Sequence, residues 1–386
     1  MLQLTSYFKT RDYQITFVAT TAENDHSEYL NQLGVETKQV FLNCDSFDRF
    51  LNVLQPNIVL FDRFLSEEQF GWRVAEQVPD ALRILDTEDV HSLRHVREQC
   101  FKKNIPFTKA LWLQDDKTKR ELASIYRCDF SLIISDFEMQ LLTDILGNNS
   151  NLLHHLPFIV DISEVPSNTP SFEQRRDFIF IGGGKHAPNI DAIQHLKRDL
   201  WPKIKSKLPK VNLNIYGAYF PQEIRQLDDK NTGFNVLGQT PDVGGVIQTA
   251  RICLAPLRFG AGTKGKLLHA MQFGTPSVTT MIGAEGMHGE MDWNGAITRS
   301  DVDFIHAAVD LYTSKTKWAK AQKNGYRLIR SGYEKKTLEK NLDTKIDSLL
   351  HTLEAHRTTN FIGALLAYQT MASTKYMSKW IQEKNK

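Results

Sequence analysis

The chain has 386 residues, enough for two hydrophobic cores rather than one. The 47 Lys and Arg residues against 45 Asp and Glu leave a net charge of +2, and 41% hydrophobic with 24% charged residues is an ordinary globular composition, so bulk charge argues against nucleic acid as a partner. Cys44, Cys100, Cys128 and Cys253 form no CxxC pair and read as reduced thiols; with no apolar run long enough to span a bilayer, a soluble, cytoplasmic protein is the expectation.

The opening MLQLTSYFKTRDYQ has neither the apolar core nor the cleavage site of a signal peptide, and it reads as a helix. Short apolar runs then alternate with longer amphipathic stretches, the pattern of βα units and parallel sheets. Strands are predicted at 14–20, 37–42, 57–62, 82–88 and 129–135. The polar, proline-bearing DISEVPSNTPSFEQRR (161–176) reads as a linker. A second series follows at 177–183, 211–217, 234–238, 251–257, 276–280 and 295–298. From about residue 336 the pattern is helical, with Phe361, Leu365, Tyr368, Tyr376 and Trp380 in a stripe. Core packing of a helix lying back across both domains is the leading reading of that stripe, and a membrane-surface role for its lysines is the alternative. The fold class is therefore α/β, with two Rossmann-like domains (1–160 and 177–335) facing a cleft and a helical tail (336–386) crossing back.

The stretch PLRFGAGTKGKLLHAMQFGTP (256–276) places a strand, three glycines and a helix in succession. Thr263 is the expected N-cap, and Gly274 with Pro276 closes the helix. Lys264 and Lys266 fall in the first turn, where the helix dipole disfavours cations. A bound phosphate would resolve that conflict, because free N–H groups at a helix start hold anions and glycines let the backbone approach them. Solvated surface lysines beside a mobile turn are the competing reading.

Residues 254–287, LAPLRFGAGTKGKLLHAMQFGTPSVTTMIGAEGM, resemble the donor-site signature of family-four glycosyltransferases of the GT-B fold, in the branch with GAG-x-K-x-K and IGAEG motifs. FIGGGKHAPNIDAIQHL (180–196), ILDTEDVHSLRHVREQC (84–100) and SDFEMQLL (135–142) extend the likeness over most of the chain. The resemblance implies that the second domain binds a nucleotide-sugar and the first presents the acceptor. It implies that Lys264 and Lys266, with the Gly260 and Gly262 backbone, hold the donor diphosphate, that Gly183 belongs to the donor site, and that Glu285 and Gly286 lie in a loop near the donor. It implies retention of anomeric configuration without a metal or a dedicated nucleophile, since fixed cations and a helix start can stabilise the leaving diphosphate.

The chain departs from that family in two places. Ala261 and His269 stand where the family shows a Glu-x7-Glu pair. Neutral imidazole accepts one hydrogen bond where a carboxylate could accept from both ribose hydroxyls, so His269 either faces the donor or is a helix residue without a ligand. The family also opens with a strand where this chain opens with a helix, so the central first strand of the first sheet is expected to be missing or uncounted. In the acceptor half, Glu88 (where many relatives carry a histidine) and His91 are the catalytic candidates, while Asp89 reads as a helix cap. The function expected is a retaining, metal-independent transfer of sugar from a nucleotide-sugar to a glycan or lipid-linked acceptor in cell-surface polysaccharide synthesis, with peripheral contact at the inner membrane face. A non-catalytic partner or scaffold of the same fold is the alternative, and a phosphate-releasing epimerase a third.

Overall fold

The computed structural model describes residues 1–22, 25–166 and 168–384. Its strands in chain order are β1 (Thr16–Ala19), β2 (Glu36–Gln39), β3 (Ile58–Asp62), β4 (Leu82–Asp86), β5 (Phe130–Ile133), β6 (Leu153–His155), β7 (Arg176–Ile181), β8 (Leu213–Tyr216), β9 (Phe234–Gly238), β10 (Ala250–Ala255), β11 (Ser277–Thr280) and β12 (Gly295–Thr298). Only β6 was not anticipated; three residues, two of them histidine, carry no strand signal. Neighbouring strands pair in parallel, so each connection is a crossover, as the βα alternation requires.

The second domain is one six-stranded sheet ordered β12-β11-β10-β7-β8-β9. Phe178, Phe180, Leu213, Ile215, Ile252 and Leu254 project from its strands into a core closed by Trp201 and Phe304. The strand order reverses between β10 and β7, and ligands of open α/β sheets bind outside the carboxyl ends of the strands at such a reversal. The loops after β7 and β10 are the two glycine-rich motifs of the sequence. They are far apart in the chain and adjacent in space.

The first domain is split. β3-β4-β5-β6 form one sheet and β1-β2 a separate pair. Val18 of β1 and Val59 of β3 pack on one core with Phe47, Leu51, Phe61 and Val74, so both strands lie under the same helices. Yet no strand among the described residues pairs with the second edge of β1 or the outer edge of β3.

The tail returns to the first domain. The helix Lys335–Thr359 buries Leu342, Ile346 and Leu349 against Leu4, Tyr7, Leu82 and Ile84. The helix Phe361–Lys384 then lies on the helices Arg63–Gln77 and Asp116–Arg127. Its aromatic stripe is not core, contrary to expectation: Phe361 is 73%, Tyr368 80%, Tyr376 67% and Trp380 60% exposed. The packed face is the narrow one. A Cβ on Gly363 would come within 2.1 Å of the Tyr126 carbonyl oxygen, and buried Ser378 accepts from Arg73 at 3.2 Å. The expected linker also ends tied down, because the buried Arg175 guanidinium donates to Thr275 at 2.6 Å and to the Phe273 carbonyl at 2.9 Å.

Candidate functional site

The cleft between the domains holds a cavity of about 440 Å³. From the second domain, Gly260, Lys264, Lys266, His186 and Asn189 line it; from the first come Asp86, Glu88, Asp89 and Arg94. The glycine-loop helix runs Gly265–Gln272, with Lys264 at its N-cap and Lys266 in its first turn. Lys264 offers no cap to the helix, and Thr263 does not cap it either: its hydroxyl donates across the cleft to the Ile134 carbonyl at 2.9 Å. The N–H groups of the first turn are thus left without a side-chain acceptor beside the buried Lys264 and the half-buried Lys266.

Neither lysine meets a full counter-charge. The Lys264 Nζ donates to the Gly262 carbonyl at 2.5 Å, and burial pushes its pKa down to about 8 despite the carboxylates of Glu285, Glu138 and Asp89 nearby. The Lys266 Nζ donates to the Asn189 Oδ1 and lies 4.2 Å from the centroid of Phe180; burial lowers it to about 7. Asn189 in turn donates to the Gly183 carbonyl at 3.0 Å, which fixes the loop after β7 against the glycine-loop helix. Two desolvated cations at the positive end of a helix make a site that an anion would stabilise.

The first domain grips this loop directly. Gly262 has φ +65°, and a Cβ there would lie 2.7 Å from the Asp89 Cβ, so only glycine fits. The Gly262 N–H donates to the Glu138 Oε1 at 2.9 Å, and the same oxygen accepts from the Val90 N–H at 2.9 Å. Arg97 donates to the Gly260 carbonyl at 2.9 Å and to both oxygens of Glu285 at 2.6 and 2.9 Å. Glu285 therefore spends its carboxylate on the opposite domain, and Gly286 (φ +69°) packs against Ser135. Arg97 and Glu138 were not singled out from the sequence, although both lie within stretches that carried the family resemblance.

On the acceptor side, Glu88 lines the cavity, half-exposed, 3.7 Å from Arg63. His91 does not line it; burial and the neighbouring Arg94 and Arg63 lower its pKa to about 3, so the ring is neutral. Asp89 is not the cap of the following helix (His91–Lys102), contrary to expectation: the carboxylate of Glu121 takes the His91 and Ser92 N–H groups at 2.9 and 2.8 Å. Asp89 faces the cleft instead and accepts from Arg94 Nη1 at 2.5 Å, and that same nitrogen lies 3.3 Å from the His186 Nε2 of the other domain. Arg94 can only donate, so the His186 Nε2 accepts, on a ring that burial and the nearby Arg94, Lys266 and Lys264 charges keep neutral. Gly183, His269, Glu285 and Gly286 also stand outside the cavity lining, and His269 is exposed on its helix.

Residues 175–314 match the family model described as Glycosyl transferases group 1. No curated protein matches the chain. Among solved structures, HepE from Anabaena, in complex with UDP and glucose, aligns at a TM-score of 0.68 with 12% identity, over 90% of this chain and 95% of HepE. The sucrose-phosphate synthase of Thermosynechococcus elongatus aligns at 0.68 with 14% identity, over 91% of this chain and 92% of its own. TarM from S. aureus aligns at 0.59 with 15% identity over 77% of this chain, which spans 57% of the length of TarM. At such identities the likeness establishes the fold: two Rossmann-like domains of the GT-B type, with the group 1 glycosyl transferase pattern carried by the domain that holds the glycine loop.

Proposed function

We propose that this protein is a retaining glycosyltransferase that moves a sugar from a nucleotide-sugar to a glycan or lipid-linked acceptor in cell-surface polysaccharide synthesis, on the cytoplasmic side of the membrane. The observation that carries the reading is the pair Lys264 and Lys266, one buried and one half-buried, with no ion pair among the described residues, at the start of the glycine-loop helix. In the proposed reaction the acceptor hydroxyl oxygen bonds to the anomeric carbon as the bond from that carbon to the phosphate oxygen breaks. The hydroxyl proton passes to the departing diphosphate on the same face. Charge grows on the leaving group, and the two ammonium groups and the helix N–H groups stabilise it where it develops. These fixed cations supply what a divalent metal would, so the reading calls for none. Glu88, Asp89 and Arg94 face the same cavity from the first domain and would meet the sugar and the acceptor.

A second, non-catalytic reading has one observation in its favour. The Gly262 N–H and the Glu285 carboxylate are already taken by cross-domain partners, as befits a fold serving as a scaffold. Thermal shift against UDP-, GDP-, ADP- and dTDP-sugars tests both, since stabilisation follows occupancy. Transfer predicts a raised Tm with one base, lost in Lys266→Ala, together with release of that nucleoside diphosphate on adding acceptor. No shift with any of the four would overturn the donor-site reading.

A further inference from the structure

Two local rules call for a carboxylate at position 189, and the chain has an amide there. Asn189 is the third residue of the helix Ala187–His195, whose first turn carries no acidic residue although a helix start favours one. Its Oδ1 accepts from the Lys266 Nζ, a contact that an ion pair would strengthen. Asn189 is 8% exposed and lines the cleft cavity. The other groups around Lys266 are the Phe180 ring, Lys264, the neutral His186 and the Cys253 thiol, which burial raises to about 12. None of them is an anion at neutral pH.

Building on the donor-site reading, we infer that Asn189 is a positioning residue that holds Lys266 through an uncharged acceptor, leaving the donor diphosphate to supply the missing anion. The amide combines two contacts that a carboxylate could not. Its Oδ1 orients the ammonium without compensating the charge. Its Nδ2 donates to the Gly183 carbonyl at 3.0 Å, tying the loop after β7 to the glycine-loop helix. A Cβ on Gly182 would come within 2.6 Å of the Asn189 Cγ, so that loop is fitted around this side chain. Aspartate has the same shape, but it would pair with Lys266 and set an oxygen against the Gly183 carbonyl. A phosphate would then have to break an ion pair instead of completing one.

Asn189→Asp and Asn189→Ala separate charge from shape, since both lose the bond to Gly183 and only one adds an anion. The test is titration calorimetry of UDP-, GDP-, ADP- and dTDP-glucose into the wild-type chain and both variants, at pH 6 and pH 8. Lys266 stands at about 7 in the unliganded wild type. Binding at pH 8 therefore has to recharge it, at a cost of about elevenfold in affinity that a lysine paired with aspartate does not bear. Asn189→Asp should bind about tenfold more weakly than wild type at pH 6 and about equally at pH 8. Asn189→Ala, which lets Lys266 swing free, should bind about fivefold more weakly at both. Thermal unfolding needs no donor: the rise of stability with pH above about 7 should flatten in Asn189→Asp and persist in Asn189→Ala. With a donor that binds wild type, an Asn189→Asp deficit that is the same at both pH values, an unflattened rise, or wild-type affinity in Asn189→Ala would each overturn this inference alone. No binding of any of the four to wild type would overturn the donor-site reading and this inference with it.

Discussion

If Lys264 and Lys266 close on a diphosphate, donor binding must take up protons. In the free protein their pKa values stand at about 8 and about 7, against an ordinary 10.5. An anion between them removes the cost of burying charge and returns both toward the ordinary value. At pH 8 the free protein carries about 0.6 of the two protons, so binding should take up about 1.4; at pH 6 the uptake falls to about 0.1. The complex binds more protons than the free protein, so affinity weakens as pH rises, by about twenty-fold between pH 6 and 8. UDP-glucose is a suitable probe, because its diphosphate has no secondary ionisation in that range. Calorimetric titration in two buffers of different ionisation enthalpy reads the uptake directly, and Lys266→Met should cut it at pH 8 to about 0.5. Tight binding at pH 8 with no proton uptake would refute the reasoning, because the buried lysines would then not be what meets the phosphates.

The same shifts have a counterpart in the unliganded fold. The unfolded chain holds its lysine protons up to the ordinary 10.5, so stability should rise with pH from about 7 toward that value, and Lys266→Met should flatten the rise and lift the Tm at pH 7. Lys266→Ala should weaken nucleotide diphosphate binding by about one to two powers of ten by titration calorimetry; Lys264→Ala should do the same but not raise the Tm, since Lys264 also offsets Glu138 and Glu285. Gly262→Ala combines a left-handed backbone with a 2.7 Å approach to Asp89, and should cost about 2–3 kcal/mol in urea unfolding while abolishing donor binding. Glu285→Ala strands Arg97 between the domains, for a loss of about 3 kcal/mol that Arg97→Met in the same chain should largely restore. Transfer measured with and without EDTA should be equal, as the fixed ammonium groups require.

The sequence by itself determined the alternation of strands and helices, the two-domain α/β class and the glycine loop of 256–276, because βα periodicity and glycine placement are local signals. Contacts across the cleft were decided only by the tertiary structure. Asp89 reads as a cap in its own segment, but Glu121, some thirty positions later, satisfies those N–H groups and frees Asp89 to face Lys264. Glu285 reads as a donor ligand until Arg97 takes both its oxygens. The tail stripe has the spacing of a core helix, yet Gly363 and Ser378 set which face packs, and the aromatic rings are turned outward. Periodicity fixes which side chains share a face; only the shape and charge of the opposing surface fix which face is buried.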